Sequence, residues 1–140
     1  MKGQNSLNLI MLKGIKETCI YSENLESLKK FYHGQLGLEI IDYSPGRHIF
    51  FRVGYSVLLA FNPEDSKLKK SPPAHFGHGP AHYAFEVDPL EYLEWKNKIK
   101  DLGIEIIDEL IWKNGMESFY FKDPDGHILE IVPAGVWDNF

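Results

Sequence analysis

Cysteine is nearly missing from this chain. One residue, Cys19, stands in 140, so no disulfide framework can form within the chain, and a reducing, cytoplasmic setting is the expectation. Long apolar runs are missing too. No segment approaches the ~18 apolar residues of a membrane-spanning helix. The N-terminal run, Leu9–Leu12, is too short for the core of a secretory signal, and no Ala-x-Ala-like cleavage site follows it. There is no basic stripe. Net charge is −5, and the nearest basic cluster, "KLKK" at 67–70, has no aromatic platform beside it. Nucleic acid and membrane are therefore excluded as expected partners. With 44% hydrophobic and 25% charged residues, the composition is that of one globular domain with an N-terminal extension over 1–13.

An internal repeat organises the rest. "LGLEIIDY" (36–43) and "LGIEIIDE" (102–109) match at seven similar or identical positions, 66 residues apart. Each follows a helical pattern. In 23–35, Asn24 is the expected N-cap, and Leu25, Leu28, Phe31 and Tyr32 supply the apolar stripe. In 89–101, Asp88 is the cap, Pro89 takes the first helical position, and Leu90, Leu93 and Ile99 follow. Strand patterns at 15–21 and 81–87 precede the two helices. Three more follow each, at 37–42, 47–53 and 56–61, and at 104–109, 117–121 and 127–132. "LLAFNP" (58–63) and "ILEIVP" (128–133) both stop at a proline. The expected fold is α+β, two paired βαβββ modules forming a curved mixed sheet around a cleft. Module one covers about 14–62, a linker 63–79, and module two about 80–137. The linker is long for a compact domain, and its His75 and His78 read as part of a lid or a solvated loop.

Three polar side chains stand out on strands. In "AHYAFEVD" (81–88), His82, Ala84, Glu86 and Asp88 share one face and Tyr83, Phe85 and Val87 the other. Glu17 sits at the repeat position of His82, 65 residues earlier, on a face with Ile15, Cys19 and Tyr21. Glu130 is the only charge between Ile128 and Val132. A buried charge without a partner is costly, and convergence of Glu17, His82 and Glu130 on the cleft would supply one. An imidazole and two carboxylates suit a divalent ion, whether zinc, manganese, iron(II), nickel, cobalt or magnesium. Glu17 or Glu130 could double as a base. The repeat position matching Glu130 reads as Ala60, which with Cys19 and Tyr21 is a candidate for the substrate pocket.

The segments "NLESLKKFYHGQLGLEI" (24–40), "GPAHYAFEVD" (79–88) and "SFYFKDPDGHILEIVPAGVW" (118–137) resemble the vicinal-oxygen-chelate superfamily. That superfamily includes glyoxalase I, fosfomycin- and bleomycin-resistance proteins and extradiol dioxygenases. The resemblance covers about 14–137, a single glyoxalase-like domain, and places the family's metal ligands on Glu17, His82 and Glu130. It implies a metal-dependent lyase, isomerase or thiol transferase acting on a small substrate that chelates the ion through adjacent oxygens. It also implies a homodimer whose sites can draw on both chains. Two departures matter: the first-strand ligand is Glu where His or Gln is common, and no fourth-strand carboxylate is present. The second weakens the case for hemithioacetal isomerisation, which needs a base beside the ion. Two alternatives stay open, a metal-free binding protein of the bleomycin-resistance type and a ring-cleaving dioxygenase.

Overall fold

The computed structural model describes residues 9–138. In module one, β1 (Glu17–Tyr21) leads into α1 (Leu25–Leu28), which winds on as a π-helix over Lys29–Gln35. Then come β2 (Glu39–Ser44), β3 (His48–Val53) and β4 (Ser56–Phe61), with a short α2 (Pro63–Ser66) opening the linker. Module two has β5 (His82–Val87), a 3-10 turn (Pro89–Glu91) running into α3 (Tyr92–Asp101), β6 (Asp108–Ile111), β7 (Glu117–Lys122) and β8 (Ile128–Pro133). The expected pair of βαβββ modules is the architecture found.

Local chemistry explains the repeat. The Asn24 side chain accepts from Ser27 N at 3.2 Å, and Asp88 from Leu90 N at 2.8 Å, so both helical segments start at their expected caps. The repeated "LG" ends them. Gly37 and Gly103 have φ of 81° and 78°, the left-handed conformation that turns the chain out of a helix with least strain. The second "LGIEIID" differs from the first in one respect: its strand starts only at Asp108. The β6–β7 ladder runs from Asp108 opposite Tyr120 to Ile111 opposite Glu117, so residues 104–106 lie outside it.

Each module forms its own four-stranded sheet, ordered β1-β4-β3-β2 and β5-β8-β7-β6, with the first strand parallel to the last. One face of each sheet joins a single shared core. Ile20, Ile49, Phe51, Leu58 and Ala60 come from the first sheet, and Phe119, Phe121, Leu129 and Ile131 from the second. The first helical segment lies between them. Its Phe31 ring is 6.5 Å from Phe121 of β7, and its Tyr32 ring 5.4 Å from Phe51 of β3. Each such side chain contributes roughly 1.5–3 kcal/mol on burial. Packing therefore holds this short segment more than helix propensity does.

A polar fastening crosses the core. The turn at 123–126 holds Asp123, 5% exposed, whose Oδ1 accepts from the main-chain N–H of Asp125 and of His127, both at 2.9 Å. Tyr32 donates its hydroxyl to Oδ2 at 2.7 Å. Burial above all, with Tyr83 and the Asp123 charge adding, holds the Tyr32 phenol well above its ordinary value of 10.0. As pH rises past about 10, the unfolded chain therefore releases this proton first, and stability falls. We expect Tyr32→Phe to cost about 1.5–3 kcal/mol near neutral pH and to flatten the alkaline loss. Urea denaturation at a series of pH values measures both effects.

Candidate metal centre

The β5–β8 register sets His82 beside Ile128 and Ala84 beside Glu130. His82 and Glu130 lie on the face turned away from the core, with His82 Nε2 3.4 Å from Glu130 Oε1. The His82 Nδ1 lies 3.0 Å from Ile128 O. A carbonyl can only accept, so Nδ1 carries the proton, and a neutral ring then presents its Nε2 lone pair toward Glu130. Such a carbonyl contact is the usual orienting partner of a metal-ligating histidine. Glu130 is 5% exposed, and its Oε2 is buried with no hydrogen-bond partner. A buried carboxylate oxygen facing nothing that donates is costly. Its environment, with an imidazole lone pair alongside, fits a divalent cation. Tyr120 borders the pair: it stands opposite Glu130 in the β7–β8 ladder, with its ring 6.0 Å from His82. Burial raises its phenol pKa, and the Glu130 carboxylate adds to the rise.

Glu17 is not brought to this pair within one chain. It is exposed on β1, the edge strand of the other sheet, on the face opposite core residue Ile20. Among the described residues no group of three or more His, Cys, Asp or Glu side chains is close enough to hold an ion.

The fourth position needs correcting. Glu17 pairs with Val57 as His82 pairs with Ile128, so Glu130 corresponds to Leu59. Ala60 lies one residue further on, beside Ile20 and Ile49, 0% exposed in the core. Aligning the two terminal prolines shifts the match by one, and one residue reverses the face of a strand. Cys19 remains on the outer face with Glu17. Partial burial and then the Glu17 charge raise its thiol pKa, which disfavours the thiolate.

Tyr21, the third residue of that face, shows what sequence reasoning missed. Its hydroxyl is 2.7 Å from His75 Nδ1. The linker is seated at this point: the Ser66 hydroxyl donates to His75 O at 2.7 Å, and His75 N donates to Ser66 O at 3.3 Å. Gly77 packs flat against the Tyr21 ring, where a Cβ would fall 2.3 Å from Cδ2. The spacing His-x-Gly-His was the available signal. A glycine between two histidines marks a close approach as readily as a flexible loop.

Comparison with known proteins identifies the family and the fold. The family model described as the Glyoxalase/Bleomycin resistance protein/Dioxygenase superfamily matches residues 14–131. The metallothiol transferase FosB of Staphylococcus haemolyticus (strain JCSC1435) is 30% identical over 132 residues, spanning 92% of this chain and 89% of that protein. The glutathione transferase FosA of Serratia marcescens is 27% identical over 125 residues, 86% of this chain and 81% of the relative. Among solved structures, lactoylglutathione lyase from Agrobacterium tumefaciens superposes with a TM-score of 0.86 at 32% identity, covering 91% of this chain and 98% of that one.

Gly77→Ala tests the seating of the linker. The added methyl must displace the Tyr21 ring, at a cost of about 1–3 kcal/mol. Tryptic cleavage after Lys69 and Lys70 should then quicken at least about fivefold, whereas a loosely attached loop would be cut at the wild-type rate.

Proposed function

The chain belongs to the Glyoxalase/Bleomycin resistance protein/Dioxygenase superfamily, and on that premise we propose a metal-dependent transferase or lyase acting on a small oxygen-bearing substrate. The observation that carries this reading is the His82–Glu130 pair with its orphaned carboxylate oxygen. His82 Nε2 and the Glu130 carboxylate hold the ion, and Glu17 of a second copy of the chain supplies the third ligand. A bound divalent ion provides a Lewis acid that polarises a substrate oxygen.

The residues around the pair define what the protein adds. The His82 contact with Ile128 O fixes the ring so that Nε2 stays available. Tyr120 closes one side of Glu130 and limits the access of water to it. Leu59, at the fourth position, offers no carboxylate to abstract a carbon-bound proton beside the ion. That favours delivery of a nucleophile to a metal-held electrophile over isomerisation, and the names of the transferase relatives put thiol transfer first. The exposure of Glu17 on an edge strand supports a homodimer with shared centres. A reducing, cytoplasmic setting suits the single cysteine, and no helix among the described residues is long and apolar enough to cross a membrane.

Metal analysis of protein purified without chelators tests the centre. Wild type should carry near-stoichiometric divalent metal, and His82→Ala and Glu130→Gln should each weaken binding at least about tenfold. Mixing Glu17→Ala chains with His82→Ala chains, after subunit exchange, tests the sharing. In a heterodimer one of the two centres recovers all three ligands, so metal content should return to about a quarter of wild type. No recovery would remove the cross-chain assignment. Wild-type protein that takes up no metal on titration would remove the centre altogether.

A further inference from the structure

Four residues beyond Glu17, on the same face of β1, Tyr21 meets a histidine delivered by the linker. The contact is built from several sides. Ser66, 0% exposed, holds the His75 main chain through two hydrogen bonds. The imidazole stands edge-on to Phe61, with ring centres 4.5 Å apart at 81°, and Gly77 closes on the Tyr21 ring from the linker side. A segment that merely joined two modules would not require so close a seat.

The chemistry of the pair follows from its donors. Burial, and then Cys19, raises the Tyr21 phenol above its ordinary value of 10.0, so it is protonated at neutral pH. In the tautomer with its proton on Nε2, His75 accepts the Tyr21 O–H at Nδ1, 2.7 Å away. The phenolic oxygen keeps lone pairs for a second donor. Tyr21 also lines a cleft of about 240 Å³ with Glu23, His78 and Asp125. His127 cannot intercept the proton, because its two ring nitrogens are engaged by Ala81 N and Tyr21 O.

We propose that Tyr21 and His75 form a proton relay for the nucleophile, a role that rests on the metal-centre reading above. The nucleophile, a thiol, gives its proton to the Tyr21 oxygen as the Tyr21 proton passes to His75 Nδ1. The sulfur keeps the electron pair and forms a carbon–sulfur bond at an electrophilic carbon of the substrate as the carbon–oxygen bond there breaks. The oxygen leaves with that bond's electron pair and takes up a proton, and the His75 imidazolium returns its own proton to solvent. Nothing is oxidised or reduced. Tyr21 is the catalytic residue, and His75, acting through it, is a positioning residue. The placement is consistent with this role. Tyr21 lies four residues from Glu17 on the same face, roughly 13 Å of extended strand, which leaves the length of a small substrate between them. With Leu59 in the fourth position, no carboxylate of β4 competes for this task.

The test uses zinc-loaded full-length protein with nitrogen-15-labelled histidine, near neutral pH, and L-cysteine and glutathione as probes. Adding either thiol should move the His75 side-chain resonances to the imidazolium pattern and generate the ultraviolet band of bound thiolate. Tyr21→Phe should keep its metal but lose at least about tenfold of the thiolate signal. His75→Gln, which still accepts from Tyr21 but cannot take up a proton, should bind thiol within about twofold of wild type yet form no thiolate. The relay is overturned if His75 stays neutral on thiol binding or if Tyr21→Phe forms as much thiolate as wild type. It is equally overturned if zinc-loaded protein binds neither thiol, an outcome that leaves the metal centre standing. Failure to load zinc would instead overturn the centre itself.

Discussion

His127 is 1% exposed and uses both ring nitrogens on main-chain groups from different parts of the molecule. Its Nδ1 accepts from Ala81 N at 2.8 Å, so Nε2 must carry the proton that it donates to Tyr21 O at 2.9 Å. The same turn supplies Asp123 to Tyr32. Module two thus grips module one at the end of β1 and at its helix, with buried, directional bonds that a slipped packing would leave unmade. The relative placement of the two sheets, and so of every candidate site residue, depends on this fastening.

Once the modules are held this way, each sheet gives its apolar face to the common core, and the alternate residues of β1 and β5 must turn outward. Glu17, Cys19, His82 and Ala84 are exposed for that reason. One chain therefore carries two outer surfaces with polar chemistry, Glu17 on one and the His82–Glu130 pair on the other. The buried Glu130 is the exception. It sits inside the sheet between Ala84 and Tyr120, where a charge without a counter-ion is hard to accommodate. In the proposed dimer that tension is resolved by the ion it helps to hold.

The linker shows how a segment that looks structureless acquires a fixed place. Its sequence has loop composition, and its middle forms no strand. Yet Ser66, His75 and Gly77 lock it onto the end of β1. A titratable pair on the site face arises from residues 54 positions apart. Local periodicity carries no information about such a pair, because neither residue's neighbours in sequence are its neighbours in space.

By itself the sequence determined the modules. Helix caps at Asn24 and Asp88, glycines at 37 and 103, and alternating strands are local features whose physics acts within a few residues, so they were legible without a structure. His82 and Glu130 were legible for a related reason, since a polar group on an otherwise strand-like run needs a partner. Only the tertiary structure decided three further matters. The parallel ladders moved the fourth position from Ala60 to Leu59, because register depends on which hydrogen bonds the strands exchange. The shared core separated Glu17 from the His82–Glu130 pair, because it sets which faces of the two sheets are buried. The seating of the linker made His75 a partner of Tyr21, because it rests on contacts between residues far apart in the chain.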